Sequence, residues 1–368
     1  MPMSESPSAS GLRLERMRAS ANYRDGVFRN NEPRIELVKP PRSMLSTTGE
    51  FFFGGDKRKP PGVIPVESPL EAWTRSVETG LRATWLGHST MLLEIDGVRV
   101  LTDPVVWSER ISPVSFIGPK RFHAPPAAID QLPAIDAILI SHDHYDHLDL
   151  PSVQKLARRD VPFITSLGVG HRLEALGIDS SRITELDWWE STHVRGLEVR
   201  ATPARHFSGR TPWDRNKTFW SSWVFQSDHH KVFFSGDTGL TRDFEDIRER
   251  AIGGGQFDLV MLEIGAWDAA WGDIHLGPEN ALRAFEMLGG KTLLPVHWGT
   301  FDLALHAWHE PAETLASLVK DRHVVTPRVG RVIEPSRVER IDAWWREVVP
   351  ALEGRSDLTG RLAAPAER

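Results

Sequence analysis

Short apolar runs, each closed by turn residues, set the rhythm of this chain from Leu81 onward. Arg82–Leu86 and Met91–Ile95 read as strands, and Asp96-Gly97 is a hairpin signal leading into Val98–Thr102. Further runs predict strands at Ala137–Ile140, Phe163–Thr165, Leu197–Ala201, Trp223–Phe225, Val232–Phe234, Leu259–Leu262 and Thr292–Val296. Helical spacing falls between several of them, over Asp243–Arg250, Glu279–Leu288 and Ala312–Val319, and Pro151-Ser152-Val153 opens another helix. Strands alternating with helices imply α/β layering around buried sheets.

The first 80 residues lack this rhythm. They are rich in Pro, Ser, Gly and charge, and Phe51-Phe52-Phe53 and the PPGVIP stretch at 60–65 predict an irregular arm that wraps the body. The expected organisation is an arm over 1–80, one body over 81–345 and a tail over 346–368.

Composition narrows the chemistry. The chain has 368 residues, enough for a sizeable core, and its net charge of −6 with no Lys/Arg block argues against a nucleic-acid partner. Cysteine is absent, which excludes disulfides and thiolate ligands and leaves His and carboxylate as the strong metal donors. That absence fits a reducing compartment, so a cytoplasmic location is expected. No apolar run is long enough to span a bilayer, and Met1–Asn22, with Arg13, Glu15, Arg16 and Arg18, reads as neither signal peptide nor membrane helix. Fourteen Trp against two Tyr is an unusual balance. Their scatter favours packing with satisfied indole N–H groups over a lipid-facing surface.

The strongest chemical signal is Ser141-His142-Asp143-His144-Tyr145-Asp146-His147-Leu148-Asp149, three imidazoles and three carboxylates directly after a predicted strand. Packed together without a cation, such carboxylates repel; a dication removes that penalty. His142 and His144 alternate and can aim at one ion, while Asp146 and His147 lie where the chain turns towards a helix. Three later residues also follow predicted strands: His206, Asp237 in Ser-Gly-Asp-Thr-Gly, and His297 in Pro-Val-His-Trp-Gly-Thr. His88 reads as a structural hydrogen-bonding residue, Trp188 and Trp189 as core or groove wall, and His229, His230, His306 and His309 as surface.

His-x-His-x-Asp-His followed by separate His, Asp and His resembles the ligand pattern of the metallo-β-lactamase superfamily, with Asp103 resembling the acidic residue that supports the ligands. The motifs at 85–90, 118–122, 142–149, 185–190, 235–239 and 297–301 are similar to those of the N-acyl-phosphatidylethanolamine-hydrolysing phospholipase D branch. The resemblance spans about residues 81–335. It implies an α/β fold arranged as a four-layer αββα sandwich and two zinc ions per chain. His142, His144 and His206 would hold one ion, Asp146, His147 and His297 the other, and Asp237 would bridge both. Asp146, Asp237 and His275, the last before a Pro-Glu pair, are the implied catalytic residues, with His275 as candidate acid. The implied reaction is hydrolysis of a phospholipid phosphodiester by a metal-activated water, with contact to a membrane surface and a homodimer left open.

Two departures stand out. Ala266–Trp271 differs from the branch's usual aromatic and Arg-bearing stretch, and the first 80 residues show little likeness to it. The alternatives are a phosphodiesterase or lactonase acting on a small soluble metabolite and a non-catalytic metal-binding scaffold. A phosphohistidine phospholipase is excluded: His229-His230-Lys231 with Asp237 misses the required gap by one residue and has no second copy. A Gly-x-Ser-x-Gly elbow is absent.

Overall fold

The computed structural model describes residues 11–32, 56–112, 118–268, 273–338 and 341–349. The chain opens with α1 (Leu12–Ala19), a hairpin of β1 (Tyr23–Arg24) and β2 (Val27–Phe28), and the short α2 (Leu70–Trp73). Then comes a sheet built from β3 (Leu81–Gly87), β4 (Thr90–Ile95), β5 (Val98–Thr102), β6 (Ala137–Ile140), β7 (Phe163–Ser166) and β8 (Ile183–Leu186). A second sheet takes β9 (Ser191–Val194), β10 (Leu197–Thr202), β11 (Ser222–Gln226), β12 (Lys231–Phe234), β13 (Leu259–Glu263) and β14 (Leu293–Val296) in sequence order. The late β15 (Val332–Ile333) returns to pair with β3 at the edge of the first sheet.

The period of two along the strands sorts their side chains into two cores. Leu93, Val100, Ala137 and Leu139 meet Val199, Ala201 and Phe225 of the second sheet. Their neighbours Leu92, Leu101, Ile138 and Ile140 face the other way, onto Leu148, Val153, Leu156 and Leu173. Those last residues belong to, or flank, α3 (Leu150–Leu156) and α4 (Gly170–Ala175). The second sheet is covered by α5 (Asp243–Ile252), α6 (Gly277–Leu288) and α7 (Glu310–Leu318), through Phe244, Ile247, Ala281, Phe285 and Leu315. The result is helix, sheet, sheet, helix: the four-layer αββα sandwich. Full burial on both faces is why these strands read as near-continuous apolar runs.

The strands of interest all run one way. β5 and β6 are parallel, β12, β13 and β14 are parallel, and β3 and β10 are each two antiparallel steps from those sets. Their C-terminal ends therefore gather on one rim. At the opposite rim, Asp96 of the β4–β5 turn meets Nδ1 of His230 of the β11–β12 turn at 3.0 Å, which joins the two sheets.

Several elements depart from the expectations. β8, β9 and β15 are short, and β9, exposed or half-buried throughout, carries no apolar run. Within the stretch read as irregular, residues 11–32 form α1 and the hairpin and pack Met17 and Phe28 against Trp188, Phe219 and Trp220. Phe51-Phe52-Phe53 lies outside the described residues. Trp85, Trp298 and Trp344 stack at centroid distances of 5.4 and 5.2 Å, and Trp85 Nε1 donates to the His88 carbonyl at 2.8 Å. Packing thus uses most of the tryptophans. Among the described residues Trp213 is the exception, 81% exposed.

Candidate metal centre

Each cluster residue stands just past the end of a strand on the same rim. Ser141 to Asp149 follow β6, His206 follows β10, Asp237 follows β12, and His297 follows β14. Asp237 comes close to the β6 loop because Gly236 precedes it, in a left-handed backbone at φ +54. A Cβ there would stand 2.9 Å from Cβ of Ser141, so only glycine fits.

Two groups of donors share Asp237. In the first, Nδ1 of His144 lies 2.9 Å from Nε2 of His142 and 3.3 Å from Nε2 of His206. Asp237 Oδ2 is 3.8 and 3.7 Å from those two Nε2 atoms. In the second, Asp237 Oδ1 lies 3.1 Å from Nε2 of His147 and 3.4 Å from Nε2 of His297. Asp146 Oδ2 lies 3.7 and 3.3 Å from the same two nitrogens. Donors around a tetrahedral zinc, bonded at about 2.0–2.1 Å, stand about 3.3 Å apart, and these distances cluster on that value. Among the described residues His147 Nε2 and Asp237 Oδ1 are moreover buried without a hydrogen-bond partner. Unpaired buried polar atoms are costly, and a shared cation satisfies both. The donor set fits two divalent ions.

The rings are held from behind. Asp103 accepts from Nδ1 of His147 and from Ser141 N and Oγ, each at 2.7 Å, leaving His147 Nε2 to face the centre. His206 Nδ1 lies 2.9 Å from the Ile274 carbonyl. His88 Nε2 lies 3.1 Å from Asp146 Oδ2, and its ring sits 4.0 Å from that of His297. Asp143, beside the ligands, instead accepts from Gly209 N at 2.8 Å and Arg172 Nε at 3.2 Å. His88, Asp103 and His297 all have positive φ, a strained backbone concentrated at this rim.

Burial alone would raise the Asp146 and Asp237 carboxyls, but the surrounding imidazoles, His147 foremost, hold both well below the usual carboxylate range. The rings feel the reverse. Burial lowers His297, yet Asp237 and Asp146 outweigh it and push it up to about 10. His147 is likewise pushed up, whereas burial keeps His142 and His206 well below the ordinary histidine value. The second group therefore attracts positive charge, which protons supply or a dication supplies in their place.

His275 is also brought to this centre, its ring 5.4 Å from His297 and 5.2 Å from His206. Its Nδ1 is 2.6 Å from Oε2 of Glu263, the last residue of β13, and this carboxylate outweighs burial to push His275 up. Glu263 was not anticipated from the sequence. A lone Glu closing the apolar run Leu259–Leu262 was the available signal, and the structure buries it fully. His306, read as surface, is half-buried instead: it stacks on Trp267 at 4.5 Å and accepts from Ala266 N at 3.0 Å. Aromatic stacking gives it a place in the wall near His297, which sequence position could not show. His229 is exposed, as read. Of the divergent Ala266–Trp271 stretch, residues 269–271 lie outside the described residues.

A sandwich of this layering with a His/Asp cluster on one rim defines a metal-dependent hydrolase class. The beta-lactamase superfamily domain matches residues 98–298, and the chain belongs to that superfamily as a metallohydrolase. An uncharacterized protein of Mycobacterium tuberculosis is 44% identical over 92% of this chain and 92% of its own. N-acyl-phosphatidylethanolamine-hydrolyzing phospholipase D 1 of Caenorhabditis elegans is 34% identical over 84% of this chain and 91% of that one. The isothiocyanate hydrolase from Delia radicum gut bacteria shares the fold, with a TM-score of 0.55 at 22% identity over 69% of this chain and 98% of that one.

Proposed function

We propose that this chain is a dinuclear zinc hydrolase that cleaves N-acyl-phosphatidylethanolamine on its head-group side, yielding phosphatidic acid and an N-acylethanolamine. The observation that carries the reading is Asp237, whose Oδ2 faces His142 and His206 while its Oδ1 faces His147 and His297. His142, His144, His206 and Asp237 would hold one ion, and Asp146, His147, His297 and Asp237 the other. Bound there, the pair supplies charge neutralisation for a phosphoryl oxygen and a lowered pKa for water. The chain's own residues do the rest. Asp103 fixes the orientation of the His147 ring, and His88 does the same for the Asp146 carboxylate. His275, oriented by Glu263, gives its proton to the leaving alkoxide.

The substrate class rests on the 34% identity to the nematode phospholipase. Access from a lipid surface fits Trp213, an exposed indole with Arg215 and Lys217 exposed close behind it in sequence. Among the described residues no helix is long and apolar enough to cross a membrane.

Metal-replete protein should release N-acylethanolamine from vesicles containing the N-acylated phospholipid, and elemental analysis should find close to two zinc-type ions per chain. Turnover confined to small soluble esters or lactones would move the reading to a soluble metabolite. Absence of any transition metal, with no activation by added zinc, would sink it.

A further inference from the structure

The residues in contact with the first donor group include one from far outside the superfamily match at 98–298. Asn30, just past β2, presses its carboxamide against the main chain of His206: Nδ2 donates to the His206 carbonyl at 2.9 Å, and Oδ1 accepts from the His206 N–H at 3.1 Å. One side chain thus satisfies both backbone groups of one residue, as a neighbouring strand would. The next acidic residue continues the clamp. Glu32 lies 3.3 Å from Nη1 of Arg205, the residue before His206, and accepts from Arg242 N at 2.8 Å. With the His206 ring fixed from the other side by the Ile274 carbonyl, main chain and ring are both held.

We propose that Asn30 is a positioning residue of the metal centre: the N-terminal segment sets the backbone of His206 and, through it, the affinity for the ion held with His142, His144 and Asp237. This rests on the dinuclear reading above. The segment does not depend on Asn30 for its own attachment. Phe28, fully buried, stacks on Phe219 at 4.4 Å, Arg13 pairs with Glu174 and Glu185, and Phe28 N donates to the Asn216 carbonyl at 2.8 Å. Trp220 Nε1, which donates to Asn30 Oδ1 at 3.0 Å, has a second acceptor in the Ala204 carbonyl at 3.0 Å. Loss of the carboxamide therefore falls chiefly on His206.

The test is a stepwise cobalt(II) titration of the metal-stripped full chain against a competing chelator, read from the visible absorption of the bound ion. Wild type should take up two ions. Asn30→Ala should weaken one step by about 10- to 100-fold, the usual effect of losing a group behind a ligand, and leave the other within about threefold. Asn30→Asp keeps the volume and the acceptor but sets an oxygen against the His206 carbonyl, so it should be impaired nearly as much as Asn30→Ala. Simple packing would leave that variant normal. Asn31→Ala, whose side chain bonds Asn22 and Asp243 among the described residues, is the control from the same segment and should titrate as wild type. Two wild-type affinities in Asn30→Ala, or a normal Asn30→Asp, overturn the inference while the dinuclear reading stands. A wild-type protein that binds no cobalt overturns both.

Discussion

Oε2 of Glu263 stands 2.6 Å from Nδ1 of His275, and this contact decides which nitrogen His275 can offer to a substrate. The carboxylate cannot swing away, because its other oxygen accepts from Thr238 N at 2.6 Å. With Nδ1 committed, Nε2 is the atom left for proton transfer.

Glu263→Gln should therefore lower kcat by roughly 10- to 100-fold with little change in KM or in bound metal, and His275→Ala by roughly 100-fold or more. Steady-state kinetics on lipid substrate, with elemental analysis of each variant, check this. A Glu263→Gln enzyme with normal kcat removes the dyad from the reaction.

Asp237 should be the least replaceable ligand, since it faces both donor groups. Asp237→Ala is expected to abolish turnover and to loosen at least one ion, while His229→Ala, at an exposed position, leaves both properties unchanged. Metal content after gel filtration separates the outcomes. Two retained ions and near-normal turnover in Asp237→Ala would exclude a shared carboxylate.

Acid should weaken the fold partly through His123. Burial, assisted by Arg121, lowers this ring to about 3. Between that value and the unfolded value of about 6.5, the unfolded chain binds the extra proton. Its contribution is thus fully present above about pH 6.5 and drains away as pH falls towards 3. Denaturant unfolding of His123→Gln should show a pH dependence shallower than wild type by about 1 kcal/mol per pH unit in that window. Parallel curves would mean that His123 does not titrate on unfolding.

Direct attack on phosphorus predicts where oxygen ends up. Hydrolysis in isotopically heavy water should label the phosphatidic acid and leave the N-acylethanolamine unlabelled, and added ethanol should not capture a phosphatidyl group. A phosphatidyl-ethanol product would require a covalent intermediate, and heavy oxygen in the alcohol would mean carbon–oxygen cleavage.

What the sequence disclosed follows a physical division. Strands buried on both faces, such as β4, β6 and β13, announce themselves as apolar runs, and residues 142–147 announce themselves because so many donors are costly together without a cation. What stayed hidden depends on contacts between distant segments. Nothing local marks Glu263 as the partner of His275, Asn30 as the partner of His206, or His306 as the partner of Trp267. β9 escaped because an edge strand that buries little, here Ser191–Val194, need not be apolar.

The bond between Asp96 and His230 ties the sheets at the rim remote from the metal ligands. Because that contact stands at the end of the sandwich away from the ligand loops, the two sheets are pinned to each other by residues that take no part in the donor cluster.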